Sequence, residues 1–213
     1  MKNLFGWKAF PTLRACAVAA LALASLSVAR ETVADPNAAT RGISSEMLSA
    51  LAANGPRPTD AAGSRTFDRV IGDWEFDCTI YPDEGKSYDF AGEWKFDWIL
   101  DGAAIQDVWI GYQEGRSPGQ RHMGTTLRFF DPQVGQWRVI FIVPRSGKII
   151  QLQGGAQDDR IVLNGVDVTG AGLRWSFNDI KPDSFLWRGE TSYDGGKTWR
   201  TEQIMKLRRK RAV

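Results

Sequence analysis

The sequence predicts an all-β protein: an up-and-down antiparallel β-barrel of about ten strands, with a short N-terminal helix after a signal peptide. Three observations carry this. Hydrophobic residues recur with a period of two from Phe67 almost to the end, turn residues punctuate that rhythm at short intervals, and no long helical pattern intervenes.

The chain opens with Met1-Lys2, Lys8 and Arg14, then an apolar run from Ala15 to Ala29 closed by the small residues Ser27-Val28-Ala29. This is the layout of a secretory signal peptide, so residues 1–29 are expected to be removed and the mature protein to be periplasmic or secreted. Thr32-Val33-Ala34 offers a second cleavage point. At about 15 residues the run is short of the ~20 that cross a bilayer as a helix, so no stable membrane anchor is expected. Cys16 opens the apolar run beside Arg14 instead of closing it, which argues against lipid attachment. Only Cys78 then remains, and an internal disulfide is excluded.

The formal charge of +2 includes Lys2, Lys8 and Arg14, so the mature chain falls to −1 and its basic pI misleads. A near-neutral surface gives no general reason to hold nucleic acid. The one basic cluster, Lys206, Arg208, Arg209, Lys210 and Arg211, reads as a solvated strand end.

Residues 30–66 are rich in Ala, Ser, Pro, Asn and Asp and read as a flexible linker, broken by Asn54-Gly55-Pro56-Arg57-Pro58. Within it Ser44 can cap a short helix to about Ala53, with Met47, Leu48 and Leu51 on one face, placed to lid a barrel mouth or simply to hang free. The domain proper spans 67–213. Trp74, Phe76, Cys78 and Ile80 alternate with Asp73, Glu75, Asp77 and Thr79, and Tyr88, Phe90, Trp94, Phe96 and Trp98 repeat the pattern. Further strands are expected over 103–113, 121–131, 136–143, 148–155, 159–168, 172–180, 184–193 and 197–208. Turns fall at Asp101-Gly102, Ser117-Pro118-Gly119, Asp131-Pro132, Ser146-Gly147, Gly170-Ala171-Gly172, Lys181-Pro182-Asp183 and Asp194-Gly195-Gly196. Consecutive hairpins with one aromatic face leave two edges to hide, and closing the sheet hides both.

Ile71-Gly72-Asp73-Trp74 resembles the Gly-x-Trp signature of calycin barrels. Trp98-Ile99-Leu100-Asp101-Gly102, the run from Gly124 to Pro132 with Trp137 after it, and the run from Ser184 to Glu190 are similar to segments of an uncharacterised bacterial lipocalin-like (calycin-type) β-barrel family. The resemblance covers about residues 67–208 and implies an architecture with no established activity. Ten-strand haem-binding relatives use a His ligand, and His122, the sole histidine, does not lie where their C-terminal ligand would. No cofactor is expected.

Candidate sites are few. Ser192-Tyr193-Asp194-Gly195-Gly196-Lys197-Thr198-Trp199 matches an "Asp-box", but a single copy reads as a hairpin turn. His122 has the right intrinsic pKa for a general base, yet no neighbour is spaced to partner it and a strand-end surface position suits it better. Cys78 shares the phase of Trp74 and Phe76 and reads as core. No metal-ligand spacing and no phosphate loop is present, and no catalytic residue is assigned.

The tryptophans give the best hint. Trp94, Trp98, Trp109, Trp175 and Trp187, with the phase-breaking Gln106 and Gln203, are the candidate ligand-binding residues; pointing inward, the rings either fill the barrel or line a pocket. Arg128 and Arg138 oppose Leu127, Phe129, Trp137 and Val139 in phase and are expected at the surface; an inward one would suit an anionic headgroup. The leading expectation is an exported, non-catalytic binder of a small hydrophobic or aromatic molecule. The alternatives are a barrel cyclase or isomerase using Asp107, His122 or Glu190, which requires at least one of them to face inward, and a solid structural or partner-binding module. Neither a particular ligand nor an oligomeric state can be read from the residues.

Overall fold

The computed structural model describes residues 44–58, 61–112 and 121–211; the expected signal peptide and residues 30–43 of the linker lie outside them. Ten strands follow in order: β1 (Gly72–Ile80), β2 (Tyr88–Ile99), β3 (Ala104–Tyr112), β4 (Arg121–Asp131), β5 (Gln136–Val143), β6 (Lys148–Gln157), β7 (Arg160–Val166), β8 (Gly172–Asn178), β9 (Ser184–Ser192) and β10 (Arg200–Arg209). Each pairs antiparallel with its neighbours in sequence, and β1 pairs with β10 from Trp74 opposite Arg209 to Ile80 opposite Gln203, closing the barrel. The expected up-and-down barrel is therefore the fold. β10 starts at Arg200, later than the expected 197, because the Asp194 turn holds the backbone up to Trp199.

Strand β1 shows why the chain folds this way. Trp74, Phe76, Cys78 and Ile80 are buried while Glu75, Asp77 and Thr79 face outward. Gly72 sits at φ 120°, and a Cβ there would lie 2.4 Å from Arg209 Nη1. That space lets the guanidinium donate to the Ile71 carbonyl at 2.9 Å and lie 4.1 Å from the Trp74 ring centroid. The Gly-x-Trp segment thus ties the first strand to the last.

One end of the barrel is plugged. Residues Thr66–Val70 form a 3-10 turn whose Phe67 and Val70 are wholly buried. The Phe67 ring meets Trp137 at 4.8 Å and Phe177 at 5.7 Å, both edge-on. Trp74 Nε1 donates to the Val70 carbonyl and Trp137 Nε1 to the Gly63 carbonyl, each at 2.9 Å. Sequence reading ended the linker at residue 66, and the plug escaped it because five residues are too few to show a period.

Helix α1 (Ser45–Leu51) is capped by the Ser44 hydroxyl, which accepts from the Met47 amide at 3.1 Å. Met47 is 56% exposed and the helix buries no side chain, so it is no lid. The following segment docks on the β2–β3 turn, where the Arg57 amide donates to the Gly102 carbonyl at 3.0 Å. At Gly102, with φ 74°, a Cβ would come 2.3 Å from the Gly55 carbonyl, so only glycine fits.

Strand β4 corrects the sequence expectation. Gly124, Thr126 and Arg128 face inward, while Leu127 and Phe129, 37% and 39% exposed, lie outside. Arg128 is therefore one of the most buried side chains in the molecule, not a surface residue. Arg138 does lie outside, bonded to Gln153 Oε1 at 2.6 Å.

Candidate functional site

The C-terminal ends of β1, β3, β5, β7 and β9 ring the end opposite the plug. Between this mouth and the barrel centre lies a cavity of about 20 Å³ lined by Trp94, Trp109, Phe141, Trp175, Trp187, Gln203 and Met205. Its rings meet edge to face: Trp175 and Trp187 at 5.3 Å, Phe141 and Trp175 at 5.4 Å. Inward glycines make room for them; a Cβ at Gly189 would lie 2.7 Å from the Trp187 ring, and one at Gly124 would lie 2.7 Å from Phe141.

The lining holds polar atoms with no partner. Trp109 Nε1 contacts Met205 Sδ at 3.4 Å and Gln203 Nε2 contacts Cys78 Sγ at 3.1 Å. The indole N–H groups of Trp175 and Trp187 and the side-chain carbonyl of Gln203 are buried and unpaired. Two donors and one acceptor thus belong to residues that line an aromatic cavity, where an unmade hydrogen bond costs about 1–3 kcal/mol. Burial pushes the Cys78 thiol far up, against its contact with Gln203, so it stays protonated and is no nucleophile.

Toward the plug, Arg128 pairs with Asp107 in full burial, its guanidinium 4.8 Å from the Phe67 ring centroid and 5.0 Å from that of Phe96. Burial raises the Asp107 pKa; Arg128, Trp94 and Thr126 oppose that. This inward carboxylate is bound to a cation and closed off from solvent by aromatic rings, which leaves it no role as a base. The headgroup expected for an inward Arg is supplied by the protein itself.

Above the cavity runs a polar rim that sequence reading missed. The β9–β10 register shifts between Thr201 and Gln203, a β-bulge that breaks the alternation of β10. Beyond it Arg200 stands opposite the inward Thr191, and Glu202 is only 3% exposed. Arg200 Nε donates to Glu202 Oε1 at 2.8 Å. Burial raises the Glu202 pKa, while Arg200 and Tyr193 oppose it. Across the mouth Lys148 begins β6 in phase with the buried Ile150 and Leu152. Burial lowers its pKa to about 8 against the attraction of Asp167 and Glu202.

Of the residues singled out from sequence, Trp94, Trp109, Trp175, Trp187 and Gln203 come together around the cavity. Trp98 is buried at the plugged end, 6.4 Å from the Trp137 ring. Gln106 is a correction: it lies on the outer face, donating to Thr125 Oγ1 at 3.1 Å, because Asp107 takes the inward position of β3. Glu190 also faces out, 3.8 Å from Arg174. His122 sits half-buried at the start of β4, its pKa lowered by burial and by Arg145.

The Asp-box segment is a turn: Asp194 Oδ1 accepts from the Lys197 and Thr198 amides at 3.0 and 2.9 Å, and Oδ2 from the Thr198 hydroxyl at 2.6 Å. Thr198, then Ser192, hold the Asp194 pKa at about 2. Trp199 packs outside under Arg174, 3.8 Å from its ring centroid. Two larger concavities, about 630 and 670 Å³, lie on the outer face over β7–β9 and β4–β7. Both are open grooves on the outer face. Among the described residues no three His, Cys, Asp or Glu side chains are grouped to hold a metal, and no helix is long and apolar enough to cross a membrane.

No family model matches the chain, and no curated protein is similar to it. Solved structures are. The crystal structure of Rv2717c from M. tuberculosis superposes with a TM-score of 0.53 at 16% identity, over 71% of this chain and 99% of that one. The S-type phycobiliprotein lyase CPES from Guillardia theta superposes with a TM-score of 0.52 at 13% identity, over 69% and 92%. At such identity the likeness speaks to architecture alone, and that architecture is a closed ten-stranded antiparallel up-and-down β-barrel.

Proposed function

We propose that this protein is an exported binder of a small, flat, apolar or aromatic molecule that carries a hydrogen-bond acceptor. The observation that carries the reading is the pair of unpartnered indole donors, Trp175 and Trp187, beside the unpartnered Gln203 carbonyl in an aromatic cavity. The phycobiliprotein lyase shows that a barrel of this shape hosts a biochemical role in another protein.

Size sets a condition. A space of about 20 Å³ holds one water molecule, so a larger guest enters only when lining side chains move aside. Met205, unbranched and adaptable, and Gln203, bonded only to a thiol, are the ones that yield. The same small space favours a second reading, a solid barrel that binds a partner through its surface.

Native mass spectrometry of the mature protein, before and after loading with a flat aromatic ketone, separates the two. A saturable one-to-one complex supports the binder; no bound species and no loading at millimolar ketone removes it and leaves the solid barrel. Export is tested on its own by N-terminal sequencing of protein from the periplasm or medium, where a chain starting after Ala29 or Ala34 is expected and one retaining Met1 contradicts it.

A further inference from the structure

The rim above the cavity does more than close it. We propose that Lys148 is a nucleophile that holds carbonyl-bearing guests as a reversible imine, with Glu202 as the proton donor, so that the ligand class is an apolar aldehyde or ketone. This rests on the binding reading above and names the reactive end of its guest.

Two features of the geometry and one of the electrostatics point there. Lys148 is the one lysine among the described residues at an inward strand position: Lys95 lies between the buried Trp94 and Phe96, Lys206 lies between Met205 and Leu207, and the others are in turns or beyond β10. Its amine also lies within electrostatic reach of Asp167, where β7 ends, and of Glu202 on β10. Because β6 and β10 are separated by three strands, that reach crosses the barrel mouth. The bulge in β10 in turn leaves Glu202 buried above Gln203, a position strict alternation would have given to an outward residue.

The desolvated amine is partly neutral near pH 8, and burial raises the Glu202 pKa against its ion pair with Arg200. The nitrogen lone pair forms the N–C bond as the carbonyl π pair moves to oxygen, and a proton passes from nitrogen to that oxygen. Glu202 then protonates the hydroxyl, the C–O bond breaks and water leaves. What remains is a protonated imine facing the Glu202 carboxylate. Hydrolysis reverses each step, and no oxidant or reductant is consumed.

The test is reductive trapping of the full mature chain with 2-naphthaldehyde and cyanoborohydride at neutral pH, read by peptide mass spectrometry, alongside quenching of tryptophan fluorescence by 2-naphthalenemethanol, which cannot form an imine. The expected result is one adduct, on Lys148, with saturable quenching by the alcohol. Lys148→Arg abolishes the adduct. Glu202→Gln slows trapping about 10²-fold, the usual share of a positioned proton donor. Quenching by the alcohol with adducts spread over the exposed lysines Lys86, Lys181 and Lys206, or with none, overturns the imine and spares the binding reading. Absence of quenching by either compound overturns the binding reading itself.

Discussion

The plugged half of the barrel and the mouth half use the same residue in opposite ways. Trp74 and Trp137 bury their rings and also find backbone carbonyls for their N–H groups. Trp175 and Trp187 bury comparable rings but leave those groups unpaired. Burial of the ring contributes to stability in both places, while the lost hydrogen bond is a cost in only one. The difference marks the plug as structure and the mouth half as the place where a partner from outside completes the bonding.

The largest expected effect lies between the halves. Arg128→Met strands the Asp107 carboxylate in the core and is expected to cost about 3–5 kcal/mol in chemical denaturation. Joined with Asp107→Leu it should recover most of that loss, since two apolar residues replace a fully desolvated pair. A double variant as unstable as the single one would show that the pair holds the barrel's shape in some further way.

Matched swaps sharpen the comparison directly. Trp137→Phe and Trp187→Phe remove the same atoms, but the first also breaks the bond to the Gly63 carbonyl and should be the more destabilising by about 1 kcal/mol. Trp187→Phe should instead weaken guest binding by about tenfold, the equivalent of one hydrogen bond of about 1.4 kcal/mol. Equal stability losses and unchanged binding would erase the distinction between the two halves.

A smaller effect tests the rim. Lys148 titrates near 8 in the folded protein and at about 10.4 when unfolded, so between those values the unfolded chain binds more protons and stability rises with pH. Below that window the cost of burying the charge is fully present. Lys148→Met removes it, so the variant should be the more stable at neutral pH and the gap should narrow toward about pH 10. A gap independent of pH would place the amine in solvent.

The architecture was legible because β1, β2 and the turns between strands carry it in local pattern: Trp74 to Ile80 alternate cleanly, and Asp101-Gly102 stops one strand and starts the next. Which face of a strand points inward was legible only where the two faces differ in polarity. In β4 the outer Leu127 and Phe129 are more apolar than the inner Thr126 and Arg128, so alternation gave the period and the wrong side. In β3 the same ambiguity exchanged Gln106 for Asp107. Five of the candidate lining residues meet at the cavity because each falls on the inward phase of its strand, β2, β3, β8, β9 and β10. The rim was hidden: a β-bulge is a backbone event, and nothing in Arg200-Thr201-Glu202-Gln203 announces that the register slips there.

The most direct test of the account follows the indole N–H signals by ¹⁵N-resolved NMR while a flat aromatic ketone is added. Trp175 and Trp187 should shift downfield and saturate together, while Trp74 and Trp137, already bonded to Val70 and Gly63, stay in place. Signals that do not move, or a uniform drift of every indole without saturation, would contradict a binding site in the mouth half of this barrel.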